Sequence, residues 1–380
     1  SNTGSTTQTV GIITGSCQDL SGNLIGEVTP ITIKIDRTAP TAPSITVKAS
    51  SITGTQKGSV ASASIGTVYT GVENTYLTFS AVDGLVGVSS GVAGYKVATS
   101  ADANFASLET VSSYNFKAVT SGTTLYVKTI DNVGNLSTDI TQVTVKLVTL
   151  SVAPTTASVE NEKTVKITAT GVNAGNITYN SSNTAIATVS STGVVTAKKV
   201  GTVTITATAG NDTSVKATSS VTVTKGKVAI PTATSSLIYN GKEHTGVAEG
   251  EKYEVSGNKA TNAGKYTAII SLKDAVNYEW SDGTTANKNI KWSIAQKQVT
   301  AVLSAKDKTY DGTTTVINGT VSLTGVVTGD VVTATGSFAF ATPGVGQNKT
   351  VNVTGITLGG TNKANYVLKA TTGTTTANIT

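Results

Sequence analysis

The chain is poor in the residues that usually carry chemistry, and each shortage removes a class of function. Its 380 residues include one histidine, one cysteine and no methionine. A nucleophilic triad needs a base that orients and deprotonates the nucleophile. The single histidine, His244, follows the Asn240-Gly241 turn signal, so a turn or strand position is expected for it. Zinc takes several histidine or thiolate ligands, and Cys17 and His244 are far apart along the chain. There is no phosphate-cradling loop that opens a helix, and paired glycosidase carboxylates have no recognisable carrier sequence. The chain is read as non-catalytic.

Charge is also scarce. Asp, Glu, Lys and Arg make up 13% of the residues, against about 25% in ordinary soluble domains. The net charge is +6, but the lysines are scattered and form no basic cluster interleaved with aromatics, which argues against nucleic acid as a partner. No apolar run is long enough to span a membrane, and no signal peptide is recognisable. With no initiating methionine, the sequence reads as an internal segment or a processed form. A weakly charged, hydroxyl-rich surface fits a protein facing water outside a cell.

What is abundant is threonine. There are 72, near a fifth of the chain, and with valine they fill runs between Gly- and Asn-rich turns. β-branched side chains suit a pleated, half-buried surface and are stiff in helices. Alternation of apolar and polar residues recurs, as in Ile31-Thr32-Ile33-Lys34-Ile35 and Val143-Thr144-Val145-Lys146-Leu147, which buries one face of each strand. An all-β protein is expected.

Those two strands belong to an internal repeat. Asp19-Leu20-Ser21-Gly22-Asn23 aligns with Asp131-Asn132-Val133-Gly134-Asn135, and the match continues without gaps into the strands. The second copy closes a segment that opens near Thr38, so the first copy closes an earlier unit of which residues 1–37 are the last strands. Thr38-Ala39-Pro40-Thr41-Ala42-Pro43 reads as a stiff linker, with a strand beginning after it. Cys17 lies just before the first turn; a disulfide partner in the missing part of that unit and a buried free thiol are equal readings. Asp19 and Asp131 are the candidate metal ligands, for a structural calcium ion; the competing reading is that each carboxylate caps its own turn. No other cofactor is expected.

Residues 38–148 resemble the bacterial Ig-like repeats that open on Thr-Ala-Pro and end on Asp-x-x-Gly-Asn, through Thr38-Ala39-Pro40, Ser90-Gly91-Val92-Ala93-Gly94-Tyr95 and Asp131–Asn135. Residues 149–225 resemble the group-2 bacterial Ig-like domain of intimin- and invasin-type adhesins, through Ser181–Val189, Ser191–Ala197 and Gly201–Ala207. That family usually has Trp where Tyr179 stands; a tyrosine fills such a core position only if its hydroxyl finds a partner or solvent. Tyr239-Asn240-Gly241 corresponds to Tyr310-Asp311-Gly312, and Asn277-Tyr278 to Asn365-Tyr366. With Asn262-Ala263-Gly264-Lys265-Tyr266-Thr267, these resemble the YDG and related glycine-rich β modules of bacterial surface proteins, one at 226–295 and one at 296–380. The tyrosine before each Asn-Gly or Asp-Gly is expected to pack over its turn.

These resemblances imply tandem immunoglobulin-like β-sandwiches in an elongated rod, about 150 Å or more for four of them given usual strand lengths. The implied function is an extracellular stalk or spacer of a bacterial cell-surface adhesin or cell-wall-associated protein, whose partners are the neighbouring domains of a longer protein. One alternative is a carbohydrate- or receptor-binding module, with a host or glycan receptor stacking on Trp280, Trp292 and Tyr278; the competing use of those rings is core packing. Another is a phage ornament or a self-assembling subunit of an extracellular filament. Intramolecular Lys–Asn or Thr–Gln cross-links, known from some surface stalks, would need a buried pair beside a carboxyl group.

Overall fold

A computed structural model describes residues 6–10, 18–23, 30–84 and 89–380. Cys17 lies outside these. The described residues are all-β: strands joined by turns, with two single-turn 3-10 segments, Phe105–Ser107 and Lys363–Asn365, and no α-helix. The chain divides into two compact units, Ser1–Thr224 and Lys225–Thr380.

The first unit opens with a two-stranded antiparallel ribbon, Thr6–Val10 against Ile31–Ile35. A sandwich follows. One sheet orders Gln56–Val60, Ser44–Ala49, Asn74–Ser80 and Ser113–Lys117; the facing sheet orders Ile65–Thr70, Thr141–Leu147, Thr123–Asp131 and Val92–Ala98. The alternation read in the sequence is what closes it: Ile45, Val47, Leu77, Leu125, Val127, Val143 and Val145 point inward, nearly all fully buried. Ser44–Ala49 begins directly after Pro43, as expected, but the preceding stretch is packed rather than free: Pro40, Ala42 and Pro43 are buried, and the Thr41 N–H donates to the Val82 carbonyl at 2.8 Å.

A second sandwich carries Thr156–Glu160, Lys216–Thr224, Gly201–Thr208 and Thr178–Ser181 in one sheet, and Thr164–Lys166, Val194–Ala197 and Ala187–Val189 in the other. Its core is Ile167, Val195, Val203, Ile205, Ala207, Val221 and their neighbours. Tyr179 packs against this core, and its hydroxyl has the partner its position requires: the Ala169 N–H donates to it at 2.8 Å.

The second unit is built on a structural repeat. Gly226–Val228 runs parallel to Tyr278–Trp280, and Lys297–Val299 runs parallel to Tyr366–Leu368 in the same way. The Tyr239 N–H donates to the Ala295 carbonyl as the Tyr310 N–H donates to that of Thr380, at 2.9 and 2.8 Å. Gly264 pairs with Ile294 as Gly346 pairs with Ile379. Each module adds antiparallel strands: Tyr253–Ser256, Gly264–Leu272 and Lys288–Ile294 in the first, and Thr333–Phe340, Gly346–Gly359 and Gly373–Ile379 in the second. One apolar cluster, from Val228 and Trp280 to Val299 and Tyr366, runs through both; a second, around Phe340, Val351, Val353 and Ile356, belongs to the last module alone.

Candidate metal centre and seams

Asp131 ends the strand Thr123–Asp131 and turns the chain. Its Oδ1 accepts the N–H groups of Val133 and Asn135 at 3.0 and 2.7 Å, and its Oδ2 accepts the Asn135 amide at 2.7 Å. Gly134, at φ +98°, supplies the left-handed residue such a turn needs. The first copy is built alike: Asp19 accepts from Ser21 N–H, Asn23 N–H and the Asn23 side chain. These bonds, that of the Asn23 side chain foremost, hold the Asp19 carboxyl below its ordinary range. The turn-capping reading thus describes both aspartates.

Their surroundings separate them. Asp19 is exposed, whereas Asp131 is buried beside two other acids. Asp36, Asp83 and Asp131 each bring a carboxylate oxygen within 4.8 Å of the others, and among the described residues no other such cluster occurs. Asp36 follows the ribbon strand Ile31–Ile35; its two oxygens accept the N–H groups of Thr38 and Ser90 at 3.0 and 2.7 Å. Asp83 follows Asn74–Ser80; its Oδ2 accepts from Ser89 Oγ and Gly91 N–H at 2.8 and 2.7 Å. Its Oδ1 is buried with no hydrogen-bond partner, in a residue only 8% exposed. Leaving a buried acceptor unsatisfied costs about 1–3 kcal/mol, more when it is charged. Two oxygens bound to one calcium ion at about 2.4 Å lie at most about 4.8 Å apart, so the spacing fits a hard cation held by oxygen alone. The Asp-x-x-Gly-Asn motif pointed to Asp131. Asp36 and Asp83 carried no sequence signal, since only the fold brings them to that turn.

The aromatic candidates are core residues. Trp280 is fully buried, and its indole N–H donates to the Ala286 carbonyl at 2.8 Å. Trp292 is 4% exposed, stacks on Tyr266 at 4.7 Å, and donates to the Gly257 carbonyl at 3.0 Å. Neither offers an open ring face to a sugar; of the two uses read from the sequence, these rings take core packing. Tyr278 is half-buried, its hydroxyl accepting from Lys252 Nζ at 2.7 Å while the same ammonium lies 4.4 Å from its ring. His244 lies in a short strand paired with Lys259–Ala260. The buried lysines face oxygens rather than amide side chains: Lys96 donates to the Leu108 carbonyl, and Lys308 to Asp311 Oδ1 and to the Thr313 carbonyl.

Two seams between consecutive modules complete the picture. In the first unit, Lys57 Nζ lies 2.8 Å from Asp212 Oδ2, the two side chains being 9% and 6% exposed. The Gly71 N–H donates to the same carboxylate at 2.7 Å. A side chain at Gly71 would collide with Val215, its Cβ only 2.1 Å from Cγ2. Val148, Ala174 and Ala209 form a small apolar cluster there, with Tyr69 and Val215 against it. Burial by itself would raise the Asp212 carboxyl; the bonds from Lys57, Ser214 and Gly71 outweigh it and hold the group below its ordinary range.

In the second unit, Tyr239 does not pack over its own turn as expected. It is 4% exposed and inserts into the next module, where its hydroxyl and that of Tyr366 both donate to Asp330 Oδ2. The two rings meet edge to face at 5.5 Å. The Val327 N–H donates to the Tyr366 hydroxyl at 2.9 Å, and the Ala263 N–H to Asn365 Oδ1 at 2.8 Å. Burial and then Asp330 push the Tyr366 hydroxyl up to about 12, and raise that of Tyr239.

Two family models match stretches of the chain. The model of the bacterial Ig-like domain (group 2) matches residues 145–221, and that of the YDG domain matches residues 295–375. No curated protein matches the chain. Among solved structures, a C-terminal fragment of intimin, in complex with the intimin-binding domain of the translocated intimin receptor, is 18% identical over 44% of this chain, with a TM-score of 0.27. The chain spans 62% of that fragment. The insect immune protein hemolin is 10% identical over 82% of this chain and 97% of its own, with a TM-score of 0.28. Three N-terminal domains of the outer capsid protein Hoc of bacteriophage RB49 are 13% identical over 59% of this chain and 94% of theirs, with a TM-score of 0.23. The fold is all-β with immunoglobulin-like sandwiches. No helix among the described residues is long and apolar enough to cross a membrane, a statement that does not bear on membrane β-barrels.

Proposed function

We propose that this chain is a non-catalytic stalk or spacer segment of an extracellular bacterial surface protein, of the adhesin or cell-wall-associated kind. The observation that carries the reading is the built seam within each unit. A buried ion pair at Lys57–Asp212 and a shared carboxylate at Asp330 hold consecutive modules in one arrangement. Flexible connection would need neither. Trp280 and Trp292 serve packing. The function then lies in length and stiffness, and small-angle scattering tests it. A maximum dimension near the summed length of the modules, about 150 Å, is the expected result; a compact particle of half that length would sink it.

The division into the last strands of an earlier Ig-like unit at 1–37 and modules at 38–148, 149–225, 226–295 and 296–380 belongs to the same proposal. So does a calcium ion at Asp36, Asp83 and Asp131, which would join the ribbon strand Ile31–Ile35 to the sandwich after it. The unpartnered Asp83 Oδ1 supports this reading. Calorimetric titration of the chelator-treated chain with calcium should show one binding event, lost in Asp83→Asn. At free calcium about 100-fold above Kd the ion adds about 2.7 kcal/mol to the first unit. An unchanged melting profile in millimolar calcium would remove the ion from the proposal and leave the spacer reading standing.

A further inference from the structure

The repeat within the second unit gives two equivalent faces, one covered and one open. By the backbone bonds to Ala295 and Thr380, Tyr310 is in the last module what Tyr239 is in the module before it. By the pairing of Gly264 and Gly346, Asn262-Ala263-Gly264 corresponds to Gly344-Val345-Gly346.

On the covered face, Tyr239, Gly241, Asn262 and Ala263 touch the next module. The Tyr239 hydroxyl reaches Asp330 at 2.8 Å. A Cβ at Gly241 would stand 2.8 Å from Val327 Cγ1, so the backbone there packs directly on the neighbour. The Ala263 N–H and the Asn262 side-chain oxygen both bond Asn365. On the other face Tyr310, Gly312 and Val345 stand open. Tyr310 is 54% exposed and Val345 66% exposed, and a Cβ at Gly312 would have no atom within 4 Å. The turn that carries Tyr310 is nevertheless pinned. Asp311 Oδ1 accepts the Thr313 N–H at 2.9 Å and the Lys308 ammonium at 2.6 Å, and the Lys308 side chain is 4% exposed. A turn already held in place loses little freedom when something docks on it. Tyrosine, large and amphipathic with few rotamers, is a favoured anchor at such contacts.

We propose that the face formed by Tyr310, Gly312 and Val345 is a docking surface for another β module of the same class. Its partner presents an aspartate and an Asn-Tyr pair placed as Asp330 and Asn365-Tyr366 are in this chain. Tyr310 enters that module as Tyr239 enters the last one, its hydroxyl on the aspartate and its ring edge-on to the partner tyrosine. The inference rests on the internal repeat and stands apart from the spacer reading.

The test extends the full chain directly after Thr380 with a second copy of residues 296–380, which reproduces the Ala295-to-Gln296 connection. Tyrosine nitration mapped by mass spectrometry is the readout. In the unextended chain Tyr310 should be modified freely and Tyr239 protected. In the extended chain nitration of Tyr310 should slow at least tenfold, and Asp330→Ala made in the appended copy alone should restore it. Unchanged reactivity of Tyr310 beside a folded appended copy would overturn the proposal. An appended copy that stays unfolded and protease-sensitive counts against it equally, because the same residues fold when seated on the Tyr239 face.

Discussion

The two units join their modules by opposite means. In the first, each sandwich closes its own core, and the seam adds a small apolar cluster, a buried ion pair and hydrogen bonds such as that from Gly71 N–H to Asp212. In the second, one apolar cluster passes from module to module, and the polar centre of the seam is a carboxylate shared by two tyrosines. A carboxylate drawn out of water, largely as at Asp212 or in part as at Asp330, must be compensated. Asp212 is compensated by an ammonium that carries the opposite charge, Asp330 by hydroxyls that carry none. The first arrangement is expected to weaken most when one charge is removed and the other stays. The second is expected to weaken when Asp330 loses a hydroxyl donor.

The largest effect is expected where a charge is left alone. Lys57→Met keeps most of the apolar stem and strands the Asp212 carboxylate at the seam, a class of change that costs about 3–5 kcal/mol. The remaining donors, Ser214 and the Gly71 N–H, place the expected loss near the lower end. Adding Asp212→Asn should recover part of it, since a neutral amide oxygen still accepts from Gly71. Scanning calorimetry would show the first unit's transition falling and the second unit's unmoved. Equal stability of Lys57→Met and wild type would mean that the pair is solvated in solution and the seam is not fixed by it.

A smaller effect, opposite in sign of pH for the two seams, comes from titration. The Asp212 carboxyl is depressed in the folded chain. Its contribution is present above the unfolded value near pH 4 and is lost as pH falls below it. The Tyr366 hydroxyl is raised to about 12. Its contribution is complete below the unfolded value near pH 10, and is lost as pH rises from 10 through 12, because the unfolded chain then gives up a proton that the folded chain keeps. A rise of that size is worth at most about 2–3 kcal/mol. The first seam should therefore loosen in acid and the second in alkali, each followed by hydrogen exchange at residues flanking it. Tyr366→Phe should reduce the alkaline loss in the second unit, leaving the part that comes from the raised Tyr239 hydroxyl. Parallel loosening of both seams at one end of the pH scale would show that the carboxylates are not compensated as the structure has them.

The strands were more legible in the sequence than the seams. Strict alternation in Val143–Leu147 and Gly201–Ala207 placed strands and core correctly, because a period of two follows from the pleat alone. The Asp-x-x-Gly-Asn turns and the Tyr-x-Gly repeats were legible because a tight turn restricts residue type locally. Lys57 and Asp212 are 155 positions apart, and nothing local to either distinguishes it from other lysines and aspartates. Asp36 and Asp83 are hidden from Asp131 for the same reason. The role of Tyr239 was misread in an instructive way. A tyrosine before Asn-Gly has an obvious local use, and only the next module provides the more favourable one, burial with a charged acceptor.

The smallest expected effect isolates that contribution from the turn itself. Gly241 and Gly312 adopt nearly the same backbone, φ +78° and +74°. Alanine at either position carries the left-handed penalty, about 1–2 kcal/mol. At Gly312 the added methyl enters open space, and at Gly241 it meets Val327 at 2.8 Å. Gly312→Ala should therefore show the turn penalty alone. Gly241→Ala should show that penalty plus an overpacking cost of about 1–3 kcal/mol, and should free Tyr239 for nitration. Because the turn penalty cancels between the variants, their difference in melting of the second unit measures how tightly one module seats on the next. A difference near zero would mean that the Val327 contact yields without cost, and would leave the shared Asp330 carboxylate and the common apolar cluster to hold the seam.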